Sequence, residues 1–296
     1  MRVIHQDIAT PMDPEVPVRD DATELPTFRR GERVIDLLKD AGIGFEGRNV
    51  VDLGAGFGSL SIAAARAGAN VVAVDVHTRR LGEIAARADA QGAPVRVIRA
   101  NLLEGVPGVR DADIALLIGV VEYAGLWDNQ ASVAALQRRV FKTAHDCLRP
   151  GGQLVFASKN RLWPRFIVKD VHTGQAFVNA LPRRVANHVS LRLDGVPYRH
   201  HIHSPRAWGR AMHEVGFDSV DCFFPFLSYQ LPLRLARRPT LEDMRLARAC
   251  VETKEELANA WGTIGSLRAA LMVACASLRL PISHSVVAVA TKQVAP

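Results

Sequence analysis

A glycine-rich turn between two predicted elements is the part of this sequence best suited to hold a ligand. An apolar run that ends near Asp52 predicts a strand, and Gly54, Gly56 and Gly58 follow at alternate positions before a helix-forming segment. Glycine permits the positive φ of a tight turn and the close approach of a ligand, and the N–H groups at the helix start face that ligand. A second predicted strand ends in Asp75, an acid placed to accept hydrogen bonds from ribose hydroxyls.

The spacing of the glycines separates two kinds of nucleotide ligand. A dinucleotide fingerprint would put its third glycine at position 59, which is a serine. The pattern Asp52-x-Gly54-x-Gly56-x-Gly58 instead resembles motif I of the class I methyltransferases that use S-adenosylmethionine. Three later segments fit the same family in order and at normal spacing: Ala100-Asn101-Leu102, the fourth-strand region from Asp113 to Tyr123, and the turn Leu148-Arg149-Pro150-Gly151-Gly152.

The resemblance implies a cofactor, a fold and a set of contacts. The cofactor would be S-adenosyl-L-methionine. The fold would be α/β, with a doubly wound, mostly parallel seven-stranded sheet of the Rossmann-like methyltransferase type and an insertion after strand 5. Asn101 stands where the family usually has an aspartate that contacts adenine. The implied cofactor-binding residues are Asp52, Gly54, Ala55, Gly56, Gly58, Asp75, Val76, Asn101, Leu102 and Gly119.

Methyl transfer to a hydroxyl requires a group that accepts its proton, whereas carbon and amine acceptors need only positioning. Glu122, just after the predicted fourth strand, is one candidate base, with a cofactor contact or a helix cap as the alternative. His172 is the second, because an imidazole pKa near 6.5 suits a base at neutral pH. Its alternative is a loop histidine that binds substrate or nothing.

A histidine cluster, Tyr198-Arg199-His200-His201-Ile202-His203, follows in the same region. No carboxylate lies close to it in sequence, and His200 and His201 would point to opposite faces of an extended chain. We therefore predict no metal site and favour a histidine-lined acceptor pocket.

A second resemblance covers part of this region. Lys159-Asn160-Arg161, together with Asp170-Val171-His172-Thr173-Gly174, is similar to an N-K/R…D-H-T-G pattern in methyltransferase domains of bacterial polysaccharide and glycosyltransferase clusters, although Val171 interrupts it. It implies that the acceptor is a sugar hydroxyl or a related glycosylated metabolite. The predicted substrate residues are His200, His203 and Arg161.

Helical and strand patterns alternate along the chain and predict a parallel sheet with helices on both faces. The predicted strands are 48–53, 70–75, 95–99, 112–119, 152–158, 217–226 and 285–291. The predicted helices include 29–41, 58–67, 78–90, 129–146 and one that starts at Ser204-Pro205. The predicted divisions are a mobile arm (1–27), a cofactor-binding core (28–158), a basic insertion that covers the acceptor site (159–203) and a C-terminal part (204–296) with a helical insertion (240–279).

Composition and charge restrict the partners. Of the 296 residues 48% are apolar and 23% charged, which is typical of a globular protein. The sequence opens without a signal-peptide pattern and has no apolar stretch of about 18 residues, so we expect a cytoplasmic protein without a membrane-spanning helix.

The basic residues are concentrated in one segment. Residues 159–210 carry ten basic and two acidic side chains, which gives this segment a charge of +8, whereas the whole chain has a charge of +7. Such clustering favours an acidic partner, with a solvated basic surface as the alternative.

The resemblance to the class I methyltransferases implies S-adenosylmethionine-dependent methyl transfer. We favour O-methylation of a sugar, a glycan or a secondary metabolite, with a small-molecule or phosphate-bearing glycan acceptor. Methylation of RNA is the first alternative, and it is disfavoured because the insertion contains few aromatic residues for stacking bases. A cofactor-binding protein without catalysis is the second.

Overall fold

The computed structural model describes residues 24–230, 232–251 and 263–294, with the side chains of residues 24–29 and 263–265 outside that description.

Most of the predicted N-terminal arm lies outside the described residues. Of residues 1–27 only the last four are described, and they begin helix α1 (Glu24–Asp40). The sequence pattern predicts that this helix starts at residue 29. The division predicted between arm and core therefore falls inside a helix.

Strands and helices alternate through the first half of the described chain. The strands are β1 (Asn49–Leu53), β2 (Asn70–Asp75), β3 (Val95–Arg99), β4 (Ala112–Ile118), β5 (Leu148–Lys159), β6 (Phe217–Leu227), β7 (Pro232–Ala236) and β8 (Ser285–Lys292). The helices are α1, α2 (Ser59–Arg66), α3 (Thr78–Ala90), α4 (Val133–Cys147), α5 (Pro164–Val168), α6 (Arg183–Asp194), α7 (Pro205–His213), α8 (Leu241–Ala249) and α9 (Thr263–Ser277). A 3-10 helix, Val121–Leu126, follows β4.

The strands follow the order β3-β2-β1-β4-β5-β8-β6-β7 in a mostly parallel sheet. This order confirms the α/β class. The chain divides into two compact units: unit 1 comprises residues 1–117, 142–155 and 291–296, and unit 2 comprises residues 118–141 and 156–290.

Unit 1 contains the parallel pairs β1–β2, β2–β3 and β1–β4. Residues of β1 and β2 such as Val50, Leu53 and Val74 are fully buried, as expected for parallel strands that are covered on both faces. α2 connects β1 to β2 and α3 connects β2 to β3, which is the crossover that parallel strands require. The carboxyl ends of β1 and β2 consequently lie side by side.

Unit 2 has an aromatic core and a capped start of helix α7. Trp208 packs on Phe156 and Phe141 with ring centroids 5.0 and 5.9 Å apart. Helix α7 begins as predicted, because the Ser204 side chain accepts a hydrogen bond from the backbone N–H of Ala207 and a proline follows it. The strands β6 and β7 form an antiparallel pair.

Three elements differ from the sequence prediction. The sheet has eight strands instead of seven, because β7 was not predicted; it has only five residues and starts with proline, so its strand pattern is weak. Helices α5 and α6 lie inside the predicted insertion, for which no helix was predicted. α6 was missed because it buries only Ala186 and Ser190 and so lacks an apolar stripe.

Two features are absent from the described residues. No helix in this part of the chain is both long and apolar enough to cross a membrane. No group of three or more His, Cys, Asp or Glu side chains within the described ranges is arranged to hold a metal ion.

The contact between α1 and α2 leads to a stability prediction. A Cβ added at Gly31 would lie 2.1 Å from the backbone oxygen of Ser59, whereas a Cβ at Gly82 in α3 would meet nothing within 4 Å. Gly31→Ala should therefore destabilise the protein by about 1–3 kcal/mol through overpacking. Gly82→Ala should be neutral or stabilising by up to about 1 kcal/mol, since alanine is the better helix former. Urea denaturation would measure both, and equal stabilities of the two variants would contradict the contact.

Candidate functional site

The glycine-rich turn of unit 1 adopts the backbone conformation that its sequence predicts. Gly54, Gly56 and Gly58 have φ values of 75°, 58° and 77°. A Cβ at Gly56 would meet no heavy atom within 4 Å, so this glycine borders open space. A Cβ at Gly58 would approach the Ile84 side chain to 2.7 Å. Gly58 is therefore required for packing on α3, while Gly56 is the position where a ligand can approach the backbone.

Asp75 joins the turn to the end of β2. Its Oδ2 accepts a hydrogen bond from the Gly56 N–H at 2.9 Å, and its Oδ1 accepts one from the His77 N–H at 3.0 Å. Each carboxylate oxygen keeps a second acceptor site, which suits ribose hydroxyls. The side chain of the next residue, Val76, is 41% exposed and offers an apolar surface for a flat ring.

Asp52 and the neighbouring backbone stabilise this turn from inside. The Asp52 carboxylate is buried and accepts a hydrogen bond from Ser61 Oγ at 2.6 Å. Burial raises the pKa of Asp52 to about 6, although the Ser61 hydrogen bond acts in the opposite direction. The backbone N–H groups of Gly54 and Ala55 both donate to the Val74 carbonyl. Asp52 and Ala55 thus contribute to the shape of the turn.

The residues after β3 make local contacts. Asn101 Oδ1 accepts from the Leu103 N–H at 3.0 Å, and its Nδ2 donates to Glu104 Oε1 at 2.9 Å. Leu102 is buried, and its carbonyl accepts from Thr143 Oγ1. A role of Asn101 and Leu102 in adenine binding stays a prediction.

In unit 2, Gly119 follows β4 with a φ of 73°. A Cβ at this position would lie 2.8 Å from the Tyr229 hydroxyl oxygen, so the Tyr229 ring leaves no room for a side chain at residue 119. The contact joins residues 110 positions apart, and no local pattern in the sequence could have indicated it. A cofactor contact by Gly119 stays a prediction.

Glu122 lies in a buried polar cluster with three partners. Its Oε2 accepts from Ser158 Oγ at 3.1 Å, its Oε1 accepts from the Tyr229 hydroxyl at 3.3 Å, and Lys159 Nζ lies 4.0 Å from Oε1. Burial raises the pKa of Glu122 more than Lys159 lowers it, and burial lowers the pKa of Lys159. Glu122 is 0% exposed and all of these contacts are internal. Its role as a base stays a prediction.

The structure brings two of the predicted site histidines together. The rings of His172 and His200 are stacked with centroids 4.9 Å apart, and each forms a T-shaped contact with the Tyr123 ring, at 5.1 and 5.9 Å. His172 Nε2 and His200 Nδ1 are buried and have no hydrogen-bond partner within the described part of the chain. Burial lowers the pKa of His172 to about 3, assisted by the positive charge of Lys159. Burial also lowers the pKa of His200. Both imidazoles are therefore neutral near pH 7.

Asp170 holds the loop that carries His172. Its Oδ1 accepts hydrogen bonds from the backbone N–H groups of His172 and Thr173, at 3.0 and 2.7 Å, and from the Thr173 hydroxyl. Its Oδ2 accepts from Asn179 Nδ2 and the Tyr198 hydroxyl, at 2.6 and 2.9 Å. Burial raises the pKa of Asp170, but these hydrogen bonds outweigh it and keep the pKa below its ordinary value. The Asp170-x-x-Thr173 spacing, which is typical of a local turn, is the signal in the sequence for this role.

His203 and Arg161 make internal contacts. His203 Nε2 lies 2.9 Å from Gln137 Oε1, and its ring meets Trp208 edge to face at 4.6 Å. Arg161 donates to the carbonyls of Asn179 and Leu181, at 2.6 and 3.1 Å. A substrate contact by His203 or Arg161 stays a prediction.

Part of the basic charge of residues 159–210 is used inside the fold. Arg183 donates to the Ile202 carbonyl, and Arg199 donates to the carbonyls of Gly125, Asp128 and Ala131. Arg161 and the buried Lys159 also have partners inside the fold. Four of the ten basic side chains of this segment are therefore engaged in internal contacts. The charge density of this segment therefore overstates the positive surface available to an acidic partner.

Comparison with known proteins places the chain in a family. A family model described as a methyltransferase domain matches residues 27–221. The chain belongs to this methyltransferase family. Its cofactor is S-adenosylmethionine.

Curated relatives match part of the chain. A ubiquinone biosynthesis O-methyltransferase of Pseudomonas aeruginosa (strain UCBPP-PA14) is 30% identical over 149 residues, which is 49% of this chain and 58% of that protein. A protein of the same name from Rhizobium rhizogenes (strain K84 / ATCC BAA-868) is 36% identical over 118 residues, 39% of this chain and 43% of that protein. The chain thus spans less than two thirds of the length of these relatives.

A solved structure supports the fold alone. The (4+2)-cyclase SpnF superposes with a TM-score of 0.51 at 14% sequence identity, over 89% of this chain and 82% of that one. At this identity the likeness carries no conclusion about the reaction.

The residues of unit 1 fit S-adenosylmethionine. The open side at Gly56 leaves room for a ligand to approach the backbone closely. The remaining acceptor sites on Asp75 can bind ribose hydroxyls. The exposed Val76 side chain offers an apolar surface for adenine.

Gly56 and Gly47 make a matched pair that tests this site. Both have positive φ, 58° and 67°, and a Cβ at either would meet nothing within 4 Å, so alanine costs similar backbone strain at each. We expect Gly56→Ala to weaken S-adenosylmethionine binding about tenfold or more, since the new methyl group occupies the ligand's path. Gly47→Ala should leave the affinity unchanged. Calorimetric titration would measure both, and equal affinities would contradict the placement of the cofactor at Gly56.

Proposed function

We propose that this protein transfers the methyl group of S-adenosylmethionine to a hydroxyl oxygen of a small molecule. The observation that carries the choice of oxygen is the stacked pair His172 and His200, whose buried ring nitrogens Nε2 and Nδ1 lack partners within the described residues. An unpaired buried polar atom is costly, and a hydroxyl could satisfy either nitrogen. The relatives named ubiquinone biosynthesis O-methyltransferases add support, although they match only part of the chain.

When bound, S-adenosylmethionine would supply an electrophilic methyl group to the attacking hydroxyl oxygen, with S-adenosylhomocysteine as the leaving group. His172 holds the hydroxyl hydrogen at Nε2 and takes the proton as the oxygen attacks. With a pKa of about 3 it is neutral at pH 7 and can accept a proton, although it is a weak base. Tyr123 and His200 fix the plane of the His172 ring. Asp170 fixes the backbone that carries it.

For the acceptor itself, we infer a sugar, glycan or secondary metabolite whose reacting part is neutral. The imidazoles are uncharged, and three arginines of the segment, Arg161, Arg183 and Arg199, donate to backbone carbonyls instead of facing an anion. These contacts weigh against a phosphate beside the reacting hydroxyl. They equally weigh against RNA as the substrate.

The proposed reaction can be tested with the methyl-labelled cofactor. The full chain would be incubated with a catecholamine and with an amino sugar, each of which offers oxygen, nitrogen and carbon atoms, and the products would be mapped by mass spectrometry. Label on an oxygen of either acceptor supports the proposal. Label found only on nitrogen or carbon, in an acceptor that offers all three atoms, would contradict O-methylation.

His172→Ala should reduce kcat while it leaves the affinity for S-adenosylmethionine unchanged. General acid–base groups contribute about 10²–10⁴-fold, and the low pKa of His172 places the expected loss near the lower limit. His188→Ala is the matched control, because His188 is an exposed histidine of helix α6. If His172→Ala retains full turnover, His172 is not the base, and Glu122 becomes the candidate base.

The pH profile gives an independent test. A base acts in its unprotonated form, so a pKa lowered to about 3 keeps His172 active at every pH well above 3. We therefore expect kcat/KM to show no histidine titration between about pH 5 and 7, whereas an unperturbed histidine would lose activity below about pH 6.5. A loss of activity with a midpoint near 6.5 that disappears in His172→Ala would contradict the buried environment of this ring.

A further inference from the structure

Unit 2 contains a pocket that none of the predicted site residues line. It lies between β6, the turn after β7 and the carboxyl end of α9, and its volume is about 280 Å³. This volume is at the lower end of the range of about 300–1,000 Å³ that is typical of small-molecule sites. Its lining includes the apolar side chains of Phe224, Met272 and Ala276.

The pocket combines an apolar floor with a basic rim. Met272 and Ala276 are buried members of α9, and Phe224 packs on the same hydrophobic cluster. Arg238 and Arg279 lie on the rim, both exposed, and neither forms an ion pair with another described residue. The apolar floor can contact an apolar chain, and the unneutralised guanidinium groups of the rim can bind an anionic head, so the pocket suits a ligand that has both.

The third rim arginine differs from the other two. Arg237 forms a two-point ion pair with Asp221, with N–O distances of 2.7 and 3.0 Å, and its guanidinium lies 5.0 Å from the centre of the Phe223 ring. Its charge is therefore balanced within the fold. Two positive charges remain for a ligand, which is enough for one carboxylate or phosphate head.

Arg279 also occupies an unusual backbone position. Its φ is 60°, and it follows α9 at the place where the Leu280 N–H donates to the Cys275 carbonyl and the Arg279 N–H donates to the Ala276 carbonyl. Glycine is the usual residue at this position of a helix end, because side chains are disfavoured there. An arginine at a strained position beside a pocket is consistent with a binding role for its side chain.

Two exposed leucines follow α9 in the chain. Leu280 lines the pocket and is 47% exposed, and Leu278 nearby in sequence is 71% exposed. A chain longer than the pocket could therefore extend along apolar side chains.

We propose that this pocket binds an anionic amphiphile, a phosphate or carboxylate joined to an alkyl chain. Its head lies between Arg238 and Arg279, and its chain lies on Met272, Ala276 and Phe224. The proposal concerns a second site and does not depend on the methyl-transfer reaction.

Octyl phosphate is the probe for the test, titrated by calorimetry into the full chain at low ionic strength. We expect one octyl phosphate per chain, with inorganic phosphate and octanol each binding about tenfold or more weakly, because each offers only half of the contacts. Equal affinity for inorganic phosphate, or no binding of octyl phosphate, would overturn the proposal.

Arg238→Ala and Arg279→Gly should each weaken octyl phosphate binding about tenfold, since each removes a charge-assisted contact. Arg279→Gly should also unfold at a higher denaturant concentration, because glycine relieves the positive φ, so lost binding cannot result from misfolding. Arg210→Ala, an exposed arginine of α7, is the control and should bind as the unaltered protein does. Unchanged affinity in both pocket variants would overturn the assignment.

Sedimentation with phospholipid vesicles would identify the source of the amphiphile. Binding to vesicles with an anionic lipid, but not to purely zwitterionic vesicles, with competition by octyl phosphate and loss in Arg279→Gly, would indicate a membrane lipid. Binding of free octyl phosphate without vesicle association would indicate a soluble amphiphile. If Arg238→Ala and Arg279→Gly bind vesicles as the unaltered protein does, the vesicles bind to another surface and not to this pocket.

Discussion

The parallel pairing of β1 with β2 is the constraint on which the cofactor site depends. In this register Asp52 lies opposite Ala73 and Leu53 lies opposite Val74, so the carboxyl ends of the two strands lie next to each other. The glycine turn that leaves β1 is thereby brought next to Asp75 at the end of β2, and the Gly56 N–H donates to its carboxylate. A shift by one residue would separate these groups, because neighbouring strand residues face opposite sides of the sheet.

Burial of polar groups organises unit 2 in a comparable way. Asp170 satisfies both of its oxygens with five hydrogen-bond donors from three parts of the chain, which fixes the loop that carries His172. The same burial lowers the pKa of His172 and leaves one ring nitrogen without a partner in the described residues. A rigid frame around an unsatisfied polar atom is the arrangement expected where a ligand completes the hydrogen bonding.

The basic character of residues 159–210 illustrates why charge along the sequence is an incomplete guide to a surface. Arg199 lies 74 residues after Gly125 yet donates to its carbonyl, and Arg161 and Arg183 also bind backbone oxygens. These arginines act as donors that link segments, which their planar guanidinium groups do well. Two unneutralised arginines, Arg238 and Arg279, lie instead in the C-terminal part, outside the segment with the predicted charge cluster.

The sequence alone determined the α/β class, the boundaries of β2, β3 and α3, and the glycine turn with Asp75, because these depend on local patterns of apolar residues and glycine. It also suggested His172 and His200 as site residues, but not that their rings stack. Tertiary structure alone decided that Tyr229 packs on Gly119 and Glu122, that Asp170 binds Asn179 and Tyr198, and that His172 has a low pKa. These features arise from contacts between residues distant in sequence and from removal of water, neither of which leaves a periodic signal.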